Sequence, residues 1–242
     1  MHRIFLPDQP VCEEVVITGE KAGYISLVLR SRPGDTLIIH DNSGKVFRTT
    51  IRSVSKKEVV AVVQEQLASV PESPLHMRLF QGMLKGEKMD LVIQKTVELG
   101  VNEIIPVVTE RSQVRETRKL LRWQKIAEEA ARQSGRPVIP SVHHVVPLSE
   151  VFGSLSHAVP CGIIFWEAGG EELHPLFGRL RGFRSVDVFT GPEGGFSAEE
   201  VRQASEAGFI AATLGKRILR AETAAITAVS LCQFELGDLG SA

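Results

Sequence analysis

Thr190-Gly191-Pro192-Glu193-Gly194-Gly195-Phe196-Ser197 is the stretch on which the reading of this chain turns. It follows the apolar run Val186–Thr190, which has strand composition, and leads into Ala198–Ala207, which has helical spacing. Ser197 and Glu200 are placed for a capping box, and Phe196 and Val201 for a hydrophobic staple, so the start of the helix is firmly specified. The glycines let a ligand approach the backbone. Glu193 stands where a dinucleotide fingerprint needs its second glycine, and the Gly-Lys-Ser/Thr ending of a P-loop is missing. A plain strand-to-helix turn suits the same residues. Ligands of open α/β sheets gather outside the carboxyl ends of the strands, which favours a binding loop.

A second stretch repeats the arrangement. Leu214-Gly215-Lys216-Arg217-Ile218-Leu219-Arg220-Ala221-Glu222-Thr223-Ala224 leaves a strand at Phe209–Leu214 and enters a helix at Thr223–Phe234. Ala221, Ala224, Ala225 and Ala228 on one flank of that helix permit close approach of another helix or a ligand. Taken alone, the stretch is equally a cationic loop followed by a small-residue packing face.

Outward from these two loops, strands alternate with helices back to Pro74, the pattern of an α/β domain with a mostly parallel sheet. Leu75–Leu84, Glu103–Val108 and Cys161–Trp166 read as strands. Met89–Leu99 and Lys119–Gln133 read as helices, closed by Gly100 and by Gly135 and Pro137, and a further helix lies near Glu171–Leu180. Before Pro74 the period is different. Glu14–Thr18, Thr36–His40, Lys45–Ile51 and Val59–Val63 are short β-rich runs. Arg32-Pro33-Gly34-Asp35 forms a turn between them and Asp41-Asn42-Ser43-Gly44 a hairpin loop. This predicts a small antiparallel sheet or barrel. The two prolines of Ala68-Ser69-Val70-Pro71-Glu72-Ser73-Pro74 mark the boundary, giving domains at 1–70 and 74–242.

The chain has 242 residues, 43% hydrophobic and 24% charged, with a net charge of −1. It is long enough for one large domain or two modest ones. Its three cysteines, Cys12, Cys161 and Cys232, fit neither a disulfide framework nor paired zinc spacing, which points to a reducing compartment. No secretory h-region follows Met1 and no apolar run reaches membrane-spanning length, so a cytoplasmic protein with no membrane contact is expected. His143-His144 and the scattered His2, His40, His76, His157 and His174 match no zinc motif. No Gly-x-Ser-x-Gly elbow or activated cysteine is present either. With so little net charge, any affinity for nucleic acid must be local. Between Arg111 and Arg136, eight cations face three carboxylates. Charge alone fits a solvated helix face equally well.

Several stretches together resemble the RsmE-type methyltransferases of the SPOUT superfamily, which methylate N3 of a uridine in bacterial small-subunit ribosomal RNA. They are Arg3-Ile4-Phe5, Lys85-Gly86-Glu87-Lys88-Met89-Asp90 with Gln94-Lys95 and Glu98-Leu99-Gly100, Glu110-Arg111-Ser112, Arg122-Trp123 and Gln133-Ser134-Gly135-Arg136. The Gly191–Phe196 and Leu214–Ala224 blocks complete the set. The resemblance implies a PUA-like β-barrel that binds RNA, followed by an α/β methyltransferase domain whose C-terminal part forms a trefoil knot. General folding rules would argue against such a knot. It further implies a homodimer acting on 16S rRNA. The cofactor would be S-adenosyl-L-methionine, held by Phe165, Thr190, Gly191, Glu193, Gly194, Leu214, Gly215, Ile218 and Leu219.

Uridine N3 is protonated at neutral pH, so methylation there must remove or share that proton and stabilise the charge left behind, without need of a metal. Arg220 is the first choice for stabilising that charge, because a guanidinium stays charged and presents a planar fork of donors. Glu222 and Glu193 are possible proton acceptors, or else hold loops. Arg3, Arg111, Arg115, Arg118, Arg122, Lys125 and Arg136 are the expected RNA contacts. Two other readings remain: a non-catalytic RNA-binding or ribosome-assembly protein, against which the intact glycine loop argues, and a different nucleotide-using α/β enzyme, whose usual motifs are absent.

Overall fold

The computed structural model describes residues 2–7, 9–155 and 161–240, and His157 lies outside them. The chain divides into two compact units, Met1–Glu72 with Ala131–Ile139, and Ser73–Ala130 with Pro140–Ala242.

The first unit is built on five strands: β1 (His2–Phe5), β2 (Glu14–Thr18), β3 (Thr36–His40), β4 (Val46–Val54) and β5 (Glu58–Leu67). Their order is β1-β3-β4-β5-β2. The pairs β3/β4, β4/β5 and β2/β5 are antiparallel. The four strands expected from the sequence thus pair antiparallel, and β1, which the sequence did not mark as a strand, adds to β3 in parallel at one edge. The β4/β5 pairing slips twice, leaving Gln64 of β5 and Arg52 of β4 unmatched, and such extra residues increase the local twist of this curled half-barrel sheet. Val15 and Ile17 of β2 alternate inward and join Ile4, Leu37, Ile39 and Ile51 in one core.

A short helix, α1 (Gly19–Gly23), running on into a wider π-type turn at Tyr24–Val28, adds Ala22 and Ile25 to that core. Nothing in the sequence marked this element, since aromatic and β-branched residues are weak helix formers. The burial of Ala22 and Ile25 outweighs that preference. The hairpin at residues 41–44 is present. Asp41 Oδ1 accepts from the backbone N–H groups of Ser43 and Lys45, and Asn42 and Gly44 adopt positive φ.

The second unit contains β6 (His76–Gly82), α2 (Lys88–Glu98), β7 (Glu103–Val108) and most of α3 (Leu120–Ser134). There follow β8 (Ser141–Val142), β9 (Val146–Pro147), α4 (Leu148–Leu155), β10 (Gly162–Phe165), α5 (Leu173–Leu180), β11 (Ser185–Thr190), α6 (Ala198–Glu206), β12 (Ile210–Ala212) and α7 (Ala221–Leu236). The strand order is β12-β10-β11-β6-β7-β8 with β9 also on β7, and every pair is parallel. Strands of such a sheet are covered on both faces, which is why β10 and β11 are buried almost throughout. The chain first builds outward from β6 through β7, then crosses to the far side and fills in β10, β11 and β12. The carboxyl ends of those last three strands therefore open at one place.

Helix α7 packs against α2, α5 and β11. Ala225 and Ala228 lie wholly inside the unit. Gln233, equally buried, accepts from Ser73 Oγ and donates to the Gly100 carbonyl. Among the described residues no helix is long and apolar enough to cross a membrane.

Candidate functional site

Three loops leave the carboxyl ends of β10, β11 and β12 and enclose a cavity of about 230 Å³. The first contributes Phe165, Trp166 and Glu167, the second runs from Thr190 to Gly195, and the third supplies Thr213, Leu214, Gly215, Arg217, Ile218 and Leu219. Ala221 and Ala224 of α7 form the remaining wall. All nine residues expected from the sequence at the cofactor site line this one cleft. Of the alanine flank foreseen on the last helix, only Ala221 and Ala224 face it.

The glycine loop is held from several directions. Its exit is the foreseen capping box: Ser197 Oγ accepts from the Glu200 N–H at 3.2 Å, and Glu200 Oε2 accepts from the Ser197 N–H at 2.9 Å. Glu200 Oε1 also takes the N–H of Glu110 at 2.7 Å. At the entry, Gln81 at the end of β6 donates through Nε2 to the carbonyls of Gly82 (2.9 Å) and Gly191 (3.2 Å), while its Oε1 accepts from Thr190 Oγ1 at 2.7 Å. Arg111 Nη1 donates to the Gly194 carbonyl at 3.1 Å. Gly195 has φ +68°, a conformation that favours glycine, and the Glu167 carboxylate lies where a Cβ would stand. Bare backbone on one loop thereby seats a carboxylate from another at the cleft.

Glu193 lines the cleft but is already committed. Its Oε1 accepts from Lys88 Nζ at 2.9 Å and from the Lys85 N–H at 3.1 Å. Partial burial pushes its pKa up, but the hydrogen bonds from Lys88 and from the backbone outweigh this and hold the carboxyl below the usual glutamate range. Such a carboxylate is a poor proton acceptor and a good loop anchor. Arg220 and Glu222 do not line the cavity. Arg220 is exposed and forms the N-cap position of α7. Glu222 sits in the first turn of that helix, half-buried, with its Oε2 enclosed and lacking a hydrogen-bond partner.

The expected RNA contacts separate. Arg111, Arg115, Arg118, Arg122 and Lys125 are exposed on the second unit, and Arg3 is exposed on the first. Arg115 Nη2 reaches the Glu110 carbonyl, and Arg122 Nη2 pairs with Asp90 Oδ2 at 2.5 Å, beside the Trp123 indole that donates to Asp90 Oδ1. Arg136 differs from the others: it is 9% exposed and pairs with Glu72 through both Nε and Nη2, which engages its guanidinium within the first unit. Its place in a basic run concealed this, because Glu72 lies 64 residues upstream. Sequence reasoning passed over Gln81 altogether.

Residues 71–233 match the family model described as an RNA methyltransferase domain, and residues 17–64 the one described as an RNA methyltransferase PUA domain. A half-barrel of that type, joined in one chain to a parallel sheet with a glycine-walled cleft at its strand ends, defines an RNA methyltransferase. The ribosomal RNA small subunit methyltransferase E of Bacillus subtilis is 33% identical over 90% of this chain and 89% of its own length. Among solved structures, the ribosomal RNA small subunit methyltransferase E of Neisseria gonorrhoeae, bound to S-adenosyl methionine, is 34% identical with a TM-score of 0.87 over 98% of each chain. A methyltransferase from Legionella pneumophila, in complex with the same cofactor, is 35% identical with a TM-score of 0.89 over 98% of each chain. The chain belongs to the ribosomal RNA small subunit methyltransferase E family.

Proposed function

We propose that this protein methylates N3 of a uridine in the 16S rRNA of the small ribosomal subunit, using S-adenosyl-L-methionine. The observation that carries the reading is the convergence of three loops, distant in sequence, on a single cleft at the carboxyl ends of adjacent parallel strands. The residues there fit the cofactor. Phe165, Ile218, Leu219 and the two alanines offer apolar walls, the glycines expose main-chain groups, and Glu167 presents acceptors for hydroxyl or ammonium groups. When bound, the cofactor supplies an electrophilic methyl group on sulfonium sulfur.

The chain's own residues must deal with the uridine. Its N3 gains a lone pair for attack only as the N3 proton leaves, and negative charge then spreads over the flanking carbonyl oxygens. Arg220, a permanent cation at the edge of the third loop, stabilises that charge. Glu222, two residues on, with one carboxylate oxygen unpartnered, accepts the proton. Residues 74–242 bind the cofactor, while the half-barrel with Arg3, and the exposed cations Arg111, Arg115, Arg118, Arg122 and Lys125, hold the RNA. The same reading includes a C-terminal trefoil knot, a homodimer and a cytoplasmic location.

The deciding experiment incubates the purified protein with isotope-labelled cofactor and either protein-free 16S rRNA or small subunits lacking the modification, then digests the RNA and identifies the methylated nucleoside by mass spectrometry. N3-methyluridine at a single position is expected. Methylation of another atom or base would overturn the N3 assignment, and no transfer to any RNA would overturn the function.

A further inference from the structure

The first unit contains a cavity of about 560 Å³ that methyl transfer does not use. Its size is that of sites accommodating small organic ligands. Two stretches quoted for the family resemblance meet there: Arg3 comes from Arg3-Ile4-Phe5, and Gln133 and Gly135 from Gln133-Ser134-Gly135-Arg136. Gly135 has φ +80°, and a Cβ on it would stand 3.2 Å from Arg3 Nη1, so the guanidinium lies against bare backbone. Tyr24 forms another part of the wall. Arg132 holds it, donating from Nη1 to the phenol oxygen at 2.5 Å with its guanidinium carbon 5.3 Å from the ring centre.

His40 is the residue that this arrangement leaves unsatisfied. It lines the cavity and is 3% exposed, with its ring 4.8 Å from that of Phe5, and neither Nδ1 nor Nε2 has a hydrogen-bond partner. Burial, assisted by the charge of Arg3 and opposed by that of Asp41, lowers its pKa to about 4. At neutral pH the ring therefore offers one N–H donor and one acceptor. Buried polar atoms are ordinarily paired, so the ring nitrogen on the cavity side awaits a partner. The two nitrogens point to opposite sides of the ring, so a ligand entering from the cavity meets one of them. A nucleobase edge carries donors and acceptors and matches that nitrogen in either tautomer, its face stacks on aromatic rings, and its phosphate pairs with a guanidinium.

We propose that this cavity is a second RNA subsite, into which one unstacked nucleotide of the substrate, separate from the methylated uridine, inserts its base edge against the His40 imidazole and its phosphate against Arg3. The inference rests on the reading of the chain as an rRNA methyltransferase. It gives the half-barrel a base-reading role beyond attraction to phosphate.

The test uses the full-length protein with isotope-labelled histidine, titrated with the four common ribonucleoside monophosphates and then with short single-stranded RNAs, while magnetic resonance follows the ring nitrogens of His40. One base should shift them in preference to the others. His40→Leu, which keeps the apolar contact with Phe5, should weaken oligonucleotide binding about tenfold. His40→Gln, which keeps one donor and one acceptor, should recover part of that loss, and Arg3→Gln should lower the salt slope of binding by about 0.7. Circular dichroism establishes that each variant is folded, and if His40→Leu is not, the nucleotide-induced shifts and His40→Gln decide. Ring nitrogens unmoved by every nucleotide, or oligonucleotide binding by folded His40→Leu as tight as wild type, would overturn the subsite. Failure of the wild-type protein to bind S-adenosyl-L-methionine would instead sink the methyltransferase reading, and the histidine shifts would still report on the cavity.

Discussion

Thr190 and Gln81 face each other across β11 and β6, and the threonine hydroxyl donates to the glutamine Oε1 at 2.7 Å with both side chains buried. The same amide holds the Gly191 carbonyl through Nε2, so one polar side chain sets the entry of the glycine loop. Gln81→Leu keeps the bulk but takes a partner from one hydroxyl and two carbonyls. It should cost about 2 kcal/mol or more in urea unfolding and weaken calorimetric cofactor binding. Thr190→Val should cost less, and a double-mutant cycle should report coupling of about 0.5–3 kcal/mol. Unaltered cofactor affinity in Gln81→Leu would mean that the loop keeps its shape unaided.

Glu193 is expected to act as a fastener. A carboxyl whose folded pKa lies below its ordinary value of 4.5 contributes stability that is complete above that value and is lost as pH falls through the folded one. Cofactor affinity should therefore show no step due to Glu193 between neutral pH and the ordinary glutamate range, with weakening confined to more acid solution. At neutral pH, Glu193→Gln removes a partly screened pair with Lys88 and should cost at most about 1 kcal/mol. A collapse of single-turnover rate with cofactor affinity intact would return the role of proton acceptor to Glu193.

Arg220 should matter to chemistry more than to cofactor binding, because it stands outside the cleft lining and at the start of α7. Arg220→Ala should slow single-turnover methylation at saturating RNA by about 10² to 10³. Lysine keeps the charge without the planar fork and should restore only part of the rate. Near-normal rates in Arg220→Ala would move the search to Arg217, which does line the cleft.

Two arginines of the basic stretch should behave in opposite ways. Arg136→Gln abandons Glu72 in a largely buried place and should lower stability by about 3 kcal/mol. Arg118→Gln, at an exposed position, should leave unfolding unchanged and reduce the salt slope of RNA binding by about 0.7 to 0.9. Denaturant titration and fluorescence anisotropy at several salt concentrations distinguish the two.

What was legible in the sequence was local. Ser197 and Glu200 are three residues apart, and the glycines lie between a recognisable strand and a recognisable helix, so the second loop could be read without its surroundings. The family resemblance joined it to the loops at Phe165 and Leu214. Gln81 was invisible because strand periodicity reports only which face a residue takes, and its partners lie about 110 positions away. The pairing of Arg136 was hidden for the same reason: charge counting along the chain cannot see Glu72. The parallel placement of β1 and the turn at Tyr24–Val28 depend on packing that local propensity opposes or does not encode. The helix at Leu148–Leu155 went unassigned, although it places Val151 and Phe152 in the core.

The strand order also sets a timetable. β6 has β7 as an early neighbour, but its other edge is closed by β11, whose residues pair with it across 109 positions. At about 5–20 residues per second of synthesis, that edge waits several seconds or more for its partner. Until then an apolar strand with unpaired amides and carbonyls is open to any other extended chain nearby. The newborn second unit is thus most vulnerable to misassociation before residue 190 has emerged, and the cleft proposed for the cofactor is among the last features to form, since the loops that build it follow β10, β11 and β12.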